Sequence, residues 1–335
     1  MAILTDYMEQ KLLDHIFGQA AFTRPSALYL GLSTTAFADS DNTTTASAKE
    51  PSGNAYARVQ IDNISEYNAS NDDIRNSSSI DFAEATGSWG SIGYWGVFDG
   101  SGSSANMLMH GSFSSATTVG SGDQFRISTG GLEINFPSAI YAGNSGTASA
   151  NWREQIAYFL GFDVHTGSDV NENFLYYSNN TQYFYHNALY LAVSASAFPT
   201  SGLTGWEVGT ASATNPTDGY ARVKILEANN SNIDYFNAAT TSSGTTTISN
   251  NVAIQFPEAT GSWGNISHFA IFRGSSSSSV DDYANIKPSS TFGSGSNVMY
   301  NSQYPLISGS LTSTKTVNSG DRLRFGIGDL VITAS

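Results

Sequence analysis

Apolar and polar positions follow two regimes along the chain, and each regime occurs twice. Near the start, Asp6-x-x-Glu9 has the form of a capping box, apolar residues follow at Met8, Leu12, Leu13, Ile16 and Phe17, and Gly18 closes the run. That spacing predicts a helix with a single apolar stripe. Asn151-x-x-Glu154 opens a counterpart with Trp152, Ile156, Phe159 and Leu160 apolar and Gly161 after them. Beyond the first helix the period shortens. Leu28 to Leu32, Ala55 to Ile61, Ile92 to Phe98, Met107 to Phe113, Gln124 to Ile127 and Leu132 to Phe136 read as strands bounded by Gly, Ser, Asn or Asp. Many strands without alternating helices predict a mainly β protein made of two tandem antiparallel β-sandwich, jelly-roll-like domains, each preceded by a short N-terminal helix.

The second half of the chain is a copy of the first. Ala27-Leu28-Tyr29-Leu30 returns as Ala188-Leu189-Tyr190-Leu191, and Tyr56-Ala57-Arg58-Val59 as Tyr220-Ala221-Arg222-Val223. Glu84 to Gly90 returns unchanged as Glu258 to Gly264, and Gly122-Asp123 as Gly320-Asp321. The offset grows from 161 at the first tyrosine to 164, 174 and finally 198, so insertions lie between blocks whose order is kept. The division expected is a first unit over 1–136, a small-residue linker over 137–150 and a second unit over 151–335. The second carries a surface insertion of about 24 residues near 275–306.

Composition narrows the function. Gly, Ser, Thr and Asn are abundant while charged residues make up only 13%, which suits short strands and tight turns. The net charge of -14 opposes a phosphate-backbone footprint, so no nucleic-acid partner is expected. Without cysteine there is no disulfide framework and no thiolate metal site. Met1 to Thr5 lacks the basic and apolar segments of a signal peptide, and no apolar run approaches a membrane span. Synthesis in a cytoplasm and no membrane partner are therefore expected.

Catalytic chemistry is sparse. The histidines at 15, 110, 165, 186 and 268 have no second His or carboxylate at a metal-ligand spacing, and there is no G-x-S-x-G elbow or phosphate loop. No catalytic residue, metal or cofactor is expected. Glu84 and Glu258 read as turn carboxylates, with a glycosidase acid and base as the sharper alternative. Asp123 and Asp321 read as turn formers. Trp89, Trp263, Tyr29 and Tyr190 read as core anchors, sugar stacking being the alternative for the tryptophans. Arg58 and Arg222 stand out in a cation-poor chain, and a specific ion pair inside the sandwich or across a subunit contact explains them as well as plain solvation does. Tyr176, Tyr177, Tyr183, Phe184 and Tyr185, with Tyr283, Tyr300 and Tyr304 of the insertion, are aromatic clusters suited to an interface or to a host glycan.

Leu30-Gly31-Leu32-Ser33-Thr34-Thr35, Tyr56-Ala57-Arg58-Val59, Ala85-Thr86-Gly87-Ser88-Trp89-Gly90 with Val97-Phe98-Asp99 behind it, and Thr118-Val119-x-Ser121-Gly122-Asp123, in that order, resemble a family of small bacteriophage virion proteins commonly labelled phage tail fibre proteins. The resemblance covers 5–136 and, more loosely, 151–334. It implies a non-enzymatic structural protein on the virion surface. The chain lacks heptads and the short repeats of a β-helical shaft, so a capsid decoration or cement protein is the expectation. A tail fibre, tail spike or baseplate protein touching the host is the alternative, and a glycan-active virion enzyme a third reading. The expected partners are further copies of itself as a trimer, the major capsid protein or tail proteins, and a host-surface glycan.

Overall fold

A computed structural model describes residues 3–20, 22–23, 25–61, 64–68, 73–135, 140–142, 147–148, 177–178, 181–182, 188–198, 218–227, 235–274 and 307–334. The first unit runs β1 (Ile3–Leu4), α1 (Asp6–Ile16), β2 (Tyr29–Ser33), α2 (Thr43–Lys49), β3 (Val59–Gln60), β4 (Ile64–Asn68), β5 (Asp73–Asn76), β6 (Ile80–Glu84), β7 (Gly90–Phe98), β8 (Met107–Val119), β9 (Gln124–Ile127) and β10 (Glu133–Asn135). Then follow β11 (Ile140–Ala142), β12 (Thr147–Ala148) and a hairpin of β13 (Tyr177–Ser178) and β14 (Thr181–Gln182). The second unit adds β15 (Ala188–Ser194), β16 (Val223–Glu227), β17 (Thr240–Ser242), β18 (Thr245–Ser249), β19 (Ile254–Glu258), β20 (Gly264–Gly274), β21 (Ile307–Val317), β22 (Arg322–Phe325) and β23 (Val331–Ala334).

The two units share one antiparallel topology. A five-stranded sheet ordered β1-β8-β7-β2-β3 returns as β12-β21-β20-β15-β16, and the pair β6-β9 returns as β19-β22. The sheet β10-β5-β4 returns as β23-β18-β17, with β11 added on the free side of β23. Register is copied as well: Val97 faces Met109 as Ile271 faces Ile307. The joining stretch therefore does more than link, because β11 and β12 both extend sheets of the second unit.

Local sequence accounts for most boundaries and misses some. Gln124–Ile127 forms as expected, with Phe125 and Ile127 inward and Gln124 and Arg126 outward. Ala55 to Ile61 is strand only at Val59–Gln60, because Asn54 and Ala55 take left-handed φ angles of 52° and 63° and turn the chain before Tyr56. Helix α2 has no apolar period to announce it. Asn42 caps it by accepting from the Thr44 and Thr45 amides, and Thr45 Oγ1 accepts the Asn42 amide in return. The N-cap of α1 is Thr5, one residue before the expected box. Its Oγ1 accepts from the Met8 amide and donates to the Met107 carbonyl, which fixes the helix start to β8. Gly18, at φ +73°, ends α1 as the sequence predicts. The helix expected from 151 lies outside the described residues.

One apolar cluster spans both units, from Leu30, Trp89 and Ile134 in the first to Leu191, Trp263 and Ile332 in the second. Met8, Leu12, Leu13, Ile16 and Phe17 of α1 belong to it. The helix packs on β1 and β8 of its own unit and on β17, β18 and β23 of the other.

Candidate functional site

Three constructions hold the units in shape, and residues of each recur in both copies. In the first, Tyr56 meets Trp89 edge-on at 5.3 Å between ring centroids, and Phe82 closes the triad. Tyr220, Trp263 and Phe256 repeat it, again at 5.3 Å for the Tyr–Trp pair. Both indoles are 4% exposed. Trp89 Nε1 donates to the Asn54 carbonyl at 2.9 Å and Trp263 Nε1 to the Asp218 carbonyl at 2.8 Å. That need explains the left-handed turn at 54–55: it presents a carbonyl to a buried indole. Neither indole face is free for a sugar. Tyr190 is buried. Tyr29 corrects its reading as a core anchor, being half-buried at the rim of a smaller cluster with its hydroxyl 3.4 Å from Gln60.

The second construction was not legible in advance. Asn76 Nδ2 donates to the carbonyls of Ser78 and Ser128, and its Oδ1 accepts the Leu132 amide. Asn250 makes the same three bonds with Val252, Gly326 and Leu330. Each buried amide ties together two turns at one end of its sandwich. The Asn250 turns carry Val252 and Ile327, which with Val331 are the large apolar side chains exposed among the described residues. At the matching positions of the first unit stand Ser78, Thr129 and Glu133. The two tips thus share a skeleton and differ in surface.

The third is Arg58. Its guanidinium lies 3.4 Å over the Phe98 ring, pairs with both oxygens of Glu50, and donates through Nη1 to the Gly100 and Gly102 carbonyls. Tyr56 Oη donates to the same Glu50 at 2.7 Å and accepts the Leu32 amide. Burial, followed by the charge of Glu50, raises the Tyr56 phenol far above its usual range. Arg58 is 8% exposed, so its reading as a subunit contact gives way to an ion pair within the unit. Arg222 keeps the stacking, at 3.8 Å over Phe272.

The remaining readings sort by geometry. Asp123 and Asp321 accept the amides of Gly120 and Asn318, both at 2.8 Å, as turn formers do. Glu84 and Glu258 instead lie exposed on strands β6 and β19, where Glu258 pairs with Arg322 at 3.0 Å. His15 is buried and accepts the Phe22 amide on Nδ1, while His110 Nε2 lies 2.8 Å from Asp39. Among the described residues, no group of three His, Asp or Glu side chains is placed to hold a metal, and no helix is long and apolar enough to cross a membrane. Tyr176, Tyr183, Phe184, Tyr185, Tyr283, Tyr300 and Tyr304 lie outside the described residues, and of Tyr177 only the backbone, in β13, is described.

A family model described as podophage GP4 fiber I protein gp80 matches residues 3–135 and again residues 166–304. Each match falls largely on one copy of the repeat. No curated protein matches the chain.

Proposed function

As a member of the podophage GP4 fiber I protein gp80 family, the chain is a phage virion structural protein, and we propose that it serves in an exterior fibre by contact alone, without catalytic turnover or cofactor. The family match carries this reading. The buried, internally paired state of the distinctive side chains supports it, since Trp89, Trp263 and Arg58 are consumed in holding shape. Contact then falls to the surfaces in which the units differ: the apolar tip at Val252, Ile327 and Val331, the aromatic run 176–185 and the insertion 275–306. We assign these to self-association as a trimer and to neighbouring virion proteins, with a host glycan as a further ligand of the aromatic runs.

A second reading, a capsid decoration or cement protein, is favoured by one observation. The described residues form two fused sandwiches with a shared core and no shaft, a shape suited to lying on a lattice.

The contact mechanism is tested with particles assembled without the chain. Residues 275–306 join β20 to β21, and removing 280–304 leaves a connection about as long as the 99–106 loop of the first unit. The shortened chain is expected to fold, yet to load onto particles and self-associate less well than the full chain. Equal loading and an unchanged oligomer would overturn the assignment of the insertion. Cleavage of host polysaccharide by the purified chain would overturn the absence of turnover.

A further inference from the structure

Helix α1 belongs to the first unit by sequence and is held by both. Phe17 lies 4.4 Å from Phe236 between ring centroids, Asp14 Oδ1 accepts the Ala239 amide at 2.7 Å, and Gln10 Nε2 donates to the Ala239 carbonyl at 3.1 Å. Glu9 sits in the middle of this joint. It is 2% exposed, it lies beside the buried Thr246 of β18, and its Oε2 has no hydrogen-bond partner among the described residues.

The charges around it do not favour an anion. On its own helix, Asp6 lies one turn back, Lys11 is drawn to the Tyr7 ring at 5.6 Å, Asp14 is committed to Ala239 and His15 to Phe22. From the first unit come Asp39 and, on β8, His110, which faces Asp39. Strands β1, β17, β18 and β23 carry no ionisable side chain. No cation is paired with the Glu9 carboxyl among the described residues, and Asp6 and Asp39 both repel an anion there.

We propose that Glu9 is a proton-controlled latch between the two repeats: α1 stays seated on the second unit while the carboxyl is protonated and loosens when it ionises. Burial first, with Asp6 and Asp39 adding to it against the effect of Thr246, pushes the Glu9 carboxyl up to about 8. Asp6 is raised too, by burial and by Asp39, and acts in the same direction. Burial pulls His15 the other way, down to about 4, so the seated helix also prefers His15 neutral.

The signs give a distinctive profile. Between the ordinary glutamate value of 4.5 and about 8, seating takes up a proton at Glu9 and weakens as pH rises. Between about 4 and the ordinary histidine value of 6.5, seating expels a proton from His15 and strengthens as pH rises. The two offset one another up to about pH 6.5, and above it His15 no longer contributes and the carboxyl effect remains.

Hydrogen exchange of the α1 amides in the full chain reads this directly. After correction for intrinsic exchange, protection is expected to fall by at least about tenfold between pH 6.5 and 8, while Glu9→Gln stays flat over that range. Carboxyl-carbon NMR of chain labelled at glutamate supplies a readout that does not depend on a variant, with one resonance titrating near 8. A flat wild-type profile, a parallel fall in Glu9→Gln, or every glutamate titrating in the ordinary range would overturn the latch.

Discussion

At the scale of single residues, the fold repeats its solutions down to individual hydrogen bonds. Trp89 and Trp263 each fill a core, face a tyrosine edge-on and donate to the carbonyl of a left-handed turn. Trp89→Ala is expected to destabilise the chain by about 3–5 kcal/mol, seen as a lower denaturation midpoint, because a large buried side chain is lost and its cavity cannot fully close. An indole whose removal leaves the midpoint unchanged would restore the ligand-stacking reading. The tryptophans were legible because a seven-residue block returns unchanged around each. Asn76 and Asn250 were not, although they too match across the copies. An asparagine among serines reads as a surface turn, and only the fold brings the Ser128 and Gly326 carbonyls to them. Arg58 was visible as an oddity, but its partner Glu50 lies beyond a turn and its stacking ring on another strand.

At the scale of elements, the strands were read well wherever alternation was strong and poorly where tertiary needs bend the chain, as at Asn54 and Ala55. Helix α1 shows the same division. Its stripe of Met8, Leu12, Leu13, Ile16 and Phe17 follows from spacing, but Glu9, Asp14 and His15 are buried as well, because a second unit covers the face that an ordinary amphipathic helix gives to water. Phe17→Ala is therefore expected to cost about 3–5 kcal/mol and to be felt across the repeat boundary. Hydrogen exchange would show β17 and β18 losing protection along with α1. Loss confined to the first unit would mean that the helix serves its own sandwich alone.

At the scale of the molecule, duplication has produced two units with one continuous core and different surfaces. The tandem arrangement was plain in the sequence from ordered blocks. The sharing of α1 was not, since nothing in a helix's own residues says which of two like sandwiches it will cap. β11 and β12 carry the same lesson in the joining stretch, where a segment that reads as linker adds to the second unit's sheets. Family membership makes the chain a phage virion structural protein, and contact at the particle exterior is the role we propose for it. Gold-labelled antibody against the chain, viewed on intact particles by electron microscopy, tests that claim most directly. The account predicts label on the tail fibres. Label distributed over the head would transfer the chain to capsid decoration, and intact particles that bind no label while containing the chain would contradict an exterior role.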